Sequence, residues 1–261
     1  MARVTLLIGI YNCASTLDEA LDSLYAQTYQ DFKVVLCDDG SSDDTYAVAS
    51  AYAGRYDNIW LLRNEKNMGL NYTLNRCLEY ADTEYVARMD GDDISLPARL
   101  QKEVEFLDSH PEYAVVSSPM VYFDENGDYR VGRAAEVPCK NDFVKGTPVC
   151  HAPCMARTAV IRQVGGYTDD IYLRRVEDYH LWFKVYAAGH KLYNLQEPLY
   201  KMRDDREAYR RRNWKNRRNE MYVKYLGFKM IGVPWYKWIY ILRPLALYLL
   251  PTSIYHKLHR R

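Results

Sequence analysis

An open α/β fold, with a sheet of parallel strands and helices on both faces, is what this 261-residue chain predicts. Two observations carry that prediction. Apolar strand-like runs alternate with helical patterns from Val4 to about residue 125. Two acidic clusters, Asp38-Asp39-Gly40-Ser41-Ser42-Asp43 and Asp90-Gly91-Asp92-Asp93, each follow an apolar run. In an open α/β sheet the ligand crevice lies at the carboxyl ends of the strands. Carboxylate oxygens are hard ligands suited to magnesium or manganese. Two acidic loops at strand ends therefore point to an enzyme site for a nucleotide and a divalent cation.

Each element has a local reason. Val4 to Tyr11 is an apolar run, as expected of a strand buried on both faces. Thr16 and Glu19 form a capping-box pattern for a helix reaching about Gln27. Lys33 to Cys37 reads as the second strand, and Ser42 or Asp43 is placed to cap a helix ending near Tyr56. Ile59 to Arg63 reads as a third strand. Asn67-Met68-Gly69 then turns the chain into a helix over Leu70 to Ala81. Glu84 to Met89 is the fourth strand. Ser95 and Pro97 open a helix with Leu100, Val104 and Leu107 on one face. Tyr113 to Phe123 reads as one further strand, followed by a turn over Asp124 to Asp128. The crossovers are expected to be right-handed, and strand order is not readable.

Beyond residue 130 the alternation stops. A helix from about Val176 to Ala188 puts Leu181, Val185 and Ala188 on one face and Asp178 in its first turn. A carboxylate there suits the helix dipole, so local sequence alone leaves Asp178 open between a helix-start acid and a functional one.

Composition narrows the function classes. Hydrophobic residues make up 48% and charged residues 26%, an ordinary globular balance. A formal net charge of +1 gives no reason to expect a polyanion partner. The 25 tyrosines suit carbohydrate or membrane-interface surfaces, or reflect a compositional habit. The six cysteines have no regular frame, and Cys150-His151 with Cys154 matches no standard zinc spacing. Met1-Ala2-Arg3 leads straight into a strand, so no signal peptide is expected and a reducing cytoplasm is the expected compartment.

The C-terminal part has a different character. Lys201 to Arg218 holds nine Lys or Arg against three acids, with Tyr209 and Trp214 interleaved. Pro234 to Leu250 is rich in Trp, Tyr and Leu but is broken at Arg243-Pro244, and the chain ends His256-Lys257-Leu258-His259-Arg260-Arg261. A bilayer span needs about 20 apolar residues, so a transmembrane helix is not expected. Trp235, Trp238 and Tyr240 with flanking bases suit an interfacial segment on anionic lipid, against the plainer reading of a helix packed on its own domain.

The ordered set of motifs resembles the family 2 glycosyltransferases. It comprises Val4-Thr5 through Ile10-Tyr11-Asn12, Cys37 to Thr45, Asn67-Met68-Gly69-Leu70, Ala87 to Pro97, Gly165-Gly166-Tyr167 and Val176 to Trp182. The resemblance covers about Val4 to Arg203. It implies a GT-A fold, Rossmann-like and nucleotide-binding, with a mixed sheet and a helical, membrane-associating C-terminal extension. The expected division is a domain over 1–203, with a nucleotide-binding half (1–125) and an acceptor-binding half (126–203), and an extension over 204–261.

The resemblance also implies roles. The activity is inverting transfer of a sugar from a nucleotide donor, by family habit UDP, to an acceptor hydroxyl, with Mn2+ or Mg2+. The donor is bound by Ile10, Tyr11, Asp39, Asn67, Gly69, Asp90 and Arg203, with Asp39 on the base. Arg203 would clamp the diphosphate, although Tyr200-Lys201-Met202-Arg203 is longer than the Tyr-Arg often found there. Asp92 is the expected direct metal ligand, Asp90 a ligand through water or a partner of ribose or sugar, and Asp93 a supporting acid. Asp178 is the implied catalytic base, with Glu177, His151 and Gly166 on the sugar and acceptor side. The interfacial C-terminus points to a lipid-linked or cell-surface glycan acceptor at the inner face of the cytoplasmic membrane, with the enzyme cytoplasmic and peripheral. Nucleic acid is not an expected partner. Two alternatives fit the residues less well. A nucleotidyltransferase would carry a glycine-rich basic phosphate loop, which Gly9 to Thr16 lacks. An RNA- or lipid-binding protein acting through residues 201–218 would not need Asp90, Asp92 and Asp178 together.

Overall fold

The structure is a computed structural model that describes residues 2–204 and 213–249. A seven-stranded sheet forms the centre. Its strands are β1 (Val4–Ile10), β2 (Phe32–Asp38), β3 (Ile59–Arg63), β4 (Tyr85–Arg88), β6 (Tyr113–Ser117), β9 (Met155–Arg157) and β10 (Lys191–Asn194), in the order β10-β6-β9-β4-β1-β2-β3. β1 pairs in parallel with both β2 and β4, so Ile10 lies beside Asp38 and the acidic loops leave the sheet at neighbouring strand ends.

Side chains alternate across this sheet as the strand period requires. On β1, Leu7 joins one core layer, whereas Val4, Leu6, Ile8 and Ile10 join the other. The second layer is closed by α1 (Leu17–Tyr25), α2 (Thr45–Arg55) and α4 (Arg99–Ser109) through Leu21, Ala49 and Val104. The first is closed by α3 (Leu70–Glu79), α5 (Lys140–Lys145), α6 (Thr158–Gln163), α7 (Glu177–Ala187) and α8 (Trp214–Met230), through residues such as Leu74, Phe143, Phe183 and Phe228.

Three expectations change. The sheet is not wholly parallel, because β9 runs antiparallel between β4 and β6, so the mixed sheet implied by the resemblance is the one found. The single strand expected over Tyr113 to Phe123 is two. Pro119 has no N–H for the ladder, and after it β7 (Met120–Asp124) enters a second sheet with order β5-β11-β7-β8, alongside β5 (Ile94–Ser95), β8 (Gly127–Val131) and β11 (Tyr200–Arg203). Thr16 does not cap α1 through its side chain. Its hydroxyl instead donates to the carbonyls of Cys13 and Gly91, tying the helix start to the second acidic loop.

The C-terminal part is helical. α8 packs on α7 and is followed by a 3-10 helix (Trp235–Leu242) and α9 (Arg243–Leu249). Val223, Phe228, Ile231 and Val233 belong to the same core as α7, so the extension begins inside the globule. Residues 205–212 of the basic run and the tail over 250–261 lie outside the described residues.

Candidate active site

The first acidic cluster is divided between structure and site. Asp38 is fully buried, pairs with Arg63 at 3.1 Å, and accepts from the Ser41 backbone N–H at 3.1 Å. Asp43 accepts from Thr45 N and from Ala14 N, which starts α2 and pins the loop after β1. Asp39 faces the crevice. Its Oδ1 accepts from Met68 N (2.8 Å) and Asn64 Nδ2 (2.7 Å), and its Oδ2 from Gly69 N (2.8 Å). Gly40 is required beside it: at φ +71°, an added Cβ would come within 2.6 Å of the Lys66 backbone.

A cavity of about 540 Å³ opens there. Ile10, Tyr11, Asp39, Asn67, Gly69 and Glu177, six of the expected site residues, line it. Asn71, Arg174 and Arg175 line it too, and the sequence reading missed all three. Arg175 is exposed and has φ +67°, the left-handed region that non-glycine residues seldom occupy. Strained backbone of this kind clusters at binding sites. Nothing in the order of residues around Arg175 signals that conformation.

The second acidic loop adjoins the cavity. An added Cβ on Gly91 would come within 2.8 Å of Ile10 Cγ2, so glycine permits this approach. Asp90 pairs with Arg88 at 2.5 Å, and its backbone N–H donates to the Tyr200 hydroxyl at 3.0 Å. Asp93 is buried and accepts from Arg203 N at 2.8 Å. Burial, with Asp90 and Asp92 adding repulsion, pushes its carboxyl up to about 8. Asp92 is exposed and, among the described residues, has no side-chain hydrogen bond or ion pair. Although the residue reaches solvent, partial desolvation of its carboxyl group by the surrounding loop, and the negative charge of Asp90, raise its pKa.

Asp178 and Glu177 open α7, where the free N–H groups favour acids. Burial raises both carboxyls, and that of Glu177 reaches about 7, with Asp178 adding to the effect. Arg88 links the two acidic regions. It is 2% exposed, it pairs with Asp90, and its charge lowers the Asp178 and Glu177 carboxyls. A lone arginine inside the apolar run Tyr85 to Met89 was the available signal, since an arginine is seldom fully buried without a partner.

Three expected residues sit differently. Arg203 is engaged with the acidic loop and its neighbours, with Nε donating to Asp92 O at 3.0 Å, Nη2 paired with Glu19, and the guanidinium over Phe123. His151 is held in a buried layer by Tyr167 (Nε2 to hydroxyl, 2.7 Å) and stands edge-on to Trp182. Burial and Arg88 keep it well below the usual histidine range, hence neutral. Gly166, expected on the sugar and acceptor side, does not line the main cavity. It borders a separate depression with Asn75 and Leu78, its φ is +58°, and an added Cβ would come within 2.6 Å of Asn75 Oδ1. Its glycine serves the packing of the loop against α3.

This mixed sheet, with a cavity at the carboxyl ends of β1 and β2, matches the GT-A class of fold shared by solved structures on which the chain superimposes. The chain belongs to glycosyl transferase family 2, whose model matches residues 5–165. It is 38% identical over 99% of its length, and 94% of the relative, to EpsE of Bacillus subtilis (strain 168), provisionally named a glycosyltransferase. It is 32% identical over 99% of its length, and 97% of the relative, to the Escherichia coli UDP-Gal:alpha-D-GlcNAc-diphosphoundecaprenol beta-1,3-galactosyltransferase. Among solved structures, S. aureus TarS 1-349 in complex with UDP superimposes with TM-score 0.70 at 20% identity, covering 95% of this chain and 71% of that one. Against another TarS structure, the chain spans 43% of the matched protein. The protein is thus a glycosyltransferase with the GT-A fold.

Proposed function

We propose that this enzyme transfers a sugar, with inversion, from a UDP-sugar to a hydroxyl of a lipid-linked or cell-surface glycan. One observation carries the reading: six residues expected at the site, from chain segments as distant as Ile10 and Glu177, line one cavity. The relatives add support, since the Escherichia coli enzyme above is named for a UDP-galactose donor and a diphosphoundecaprenol acceptor.

The residues fit a divalent metal held jointly with substrate. Among the described residues no group of three or more His, Cys, Asp or Glu is arranged to hold an ion. Magnesium-type sites use one or two carboxylates and leave the remaining positions to phosphates and water. Asp92, exposed and without a side-chain partner, fits the direct ligand, with Asp90 beside it. When bound, Mn2+ or Mg2+ neutralises the diphosphate leaving group. Asp39, Asn67, Tyr11 and Ile10 hold the nucleoside. Glu177 contacts the sugar, and Asp178 takes the proton from the acceptor hydroxyl as its oxygen attacks from the face opposite the nucleotide. In this proposal Arg203 leaves Glu19 to reach the diphosphate, and His151 backs the acceptor side through Tyr167.

The transferase domain is taken to end at residue 203, with its nucleotide half over 1–125 and its acceptor half over 126–203. The extension meets the inner face of the cytoplasmic membrane as a peripheral contact. No described helix is long and apolar enough to cross a membrane. Trp235 is 84% exposed, Ile239 65% and Leu249 71%, which suits an interfacial contact.

The test is thermal stability with UDP, GDP and dTDP, each with and without manganese, on the wild type and Asp92→Ala. A ligand at about 100 times its Kd adds ~2.7 kcal/mol to the native state. A shift with UDP that needs both metal and Asp92 is the expected result. A folded protein that responds to no nucleotide would overturn the reading.

A further inference from the structure

One wall of the cavity carries three buried polar atoms without hydrogen-bond partners: Asn71 Oδ1, Arg174 Nε and Glu177 Oε2. They come from three places, namely the first turn of α3, the loop before α7, and the first turn of α7. Leaving such groups unpaired inside a protein costs free energy, because their hydrogen bonds to water are lost and not replaced. Three around one cavity imply a ligand that pairs with them.

The orientation of each group is determined by its other contacts. The Asn71 amide nitrogen donates to Asp169 Oδ1 (2.9 Å) and to Thr168 O (3.2 Å). Both partners are acceptors, so the amide cannot flip, and Oδ1 is the atom left over. Arg174 is anchored at both ends: Nη2 donates to Met68 O at 3.1 Å, and its backbone carbonyl accepts from Asn219 Nδ2 of α8 at 3.1 Å. Gly69 keeps the space between these groups open. A Cβ there would lie 3.1 Å from Asn71 Oδ1 and 3.5 Å from Arg174 Nε, at a φ of +98° that already demands glycine.

We propose that Asn71 and Arg174, together with Glu177, read the hydroxyl groups of the donor sugar. A hydroxyl both donates and accepts, so adjacent ring hydroxyls satisfy two acceptors and one donor together. Asn71 and Arg174 are specificity-determining residues in this arrangement, and they also stand next to the loop that grips the nucleoside. Sites built around such pairs discriminate strongly against a sugar lacking the matching group, because their buried atoms are left unpaired. The inference rests on the donor site proposed above.

The experiment separates sugar from nucleotide. Calorimetric titration with manganese first measures UDP, GDP and dTDP on the full chain. The glucose, galactose and N-acetylglucosamine conjugates of the nucleotide that binds are then measured on the wild type, Asn71→Ala, Arg174→Lys and Arg174→Met. The expected result is a loss of about 10-fold for the tightest nucleotide-sugar in each variant, with the Kd of the free nucleoside diphosphate unchanged. An equal loss for both ligands would mean that the two residues only hold the loop at 66–69, and the proposal would fail. Because a variant can fail to fold, the wild type is also titrated with singly deoxygenated forms of that sugar conjugate. A drop of about 10-fold for at least one position is expected, and no drop at any position overturns the proposal. If the wild type binds no nucleoside diphosphate at all, it is the donor-site reading that fails.

Discussion

At the scale of single residues, burial sets the chemistry. Asp178 lies at a helix start, with Arg88 near and its carboxyl raised by desolvation, which brings a carboxylate nearer to the basicity a proton acceptor needs. Asp178→Asn is expected to lower the transfer rate about 10²- to 10⁴-fold, while UDP affinity by titration stays unchanged. Turnover near the wild-type rate would remove Asp178 from the mechanism. Glu177 allows a prediction with a definite sign. Its folded pKa of about 7 lies above its ordinary 4.5, so between those values the folded chain keeps a proton that the unfolded chain has released. Its contribution to stability is therefore present below about pH 4.5 and is lost as pH rises toward 7. Melting temperatures of the ligand-free protein are expected to fall across that window, and to fall less in Glu177→Gln. Matching profiles for the two proteins would contradict this assignment.

At the scale of elements, the junction of α7 and α8 shows how the extension is locked to the domain. Gly227 lets α8 lie directly on Phe183, and a Cβ there would come within 2.2 Å of the ring. Gly227→Ala is expected to destabilise the protein by about 1–3 kcal/mol, the usual cost of overpacking. A denaturant midpoint equal to that of the wild type would show that the helices can part. The same junction positions the site, because Asn219 of α8 holds the Arg174 carbonyl. The strands give a contrasting lesson. β1, β2 and β4 were legible because central parallel strands are apolar on both faces, as Val34, Val35 and Leu36 are. β9 was not, because Met155–Arg157 is too short to show a period. The break between β6 and β7 was signalled by Pro119, but the strand-like pattern on either side concealed it.

At the scale of the whole molecule, the exposed aromatic and aliphatic residues of the 3-10 helix over Trp235–Leu242 lie together at the C-terminal end. Their nearby bases have local partners, with Arg243 donating to Lys145 O and Lys237 bonded to Asn141, so the helix is braced against α5. Replacing Trp235 and Ile239 with glutamate is expected to reduce sedimentation with vesicles containing anionic lipid by at least about fivefold, on the order of 1 kcal/mol, with UDP binding unaltered. Undiminished sedimentation would assign the surface another purpose.

The sequence by itself determined the fold class, the acidic loops and the family. Those depend on local patterns: apolar periodicity, glycine turns, and carboxylates placed just past strands. Even there it could not say which acids are structural, since Asp38 and Asp39 are neighbours in the chain, yet one is sealed against Arg63 and Ser41 and the other faces the cavity. Only the tertiary structure decided that Arg203 pairs with Glu19, that Gly166 packs against α3, that Arg88 lies beside Asp90, and that Asn71 and Arg174 line the cavity. The reason is physical: burial and unpaired hydrogen-bonding groups arise when distant segments meet, and Asn71 and Arg174 come together only because the chain folds back on itself.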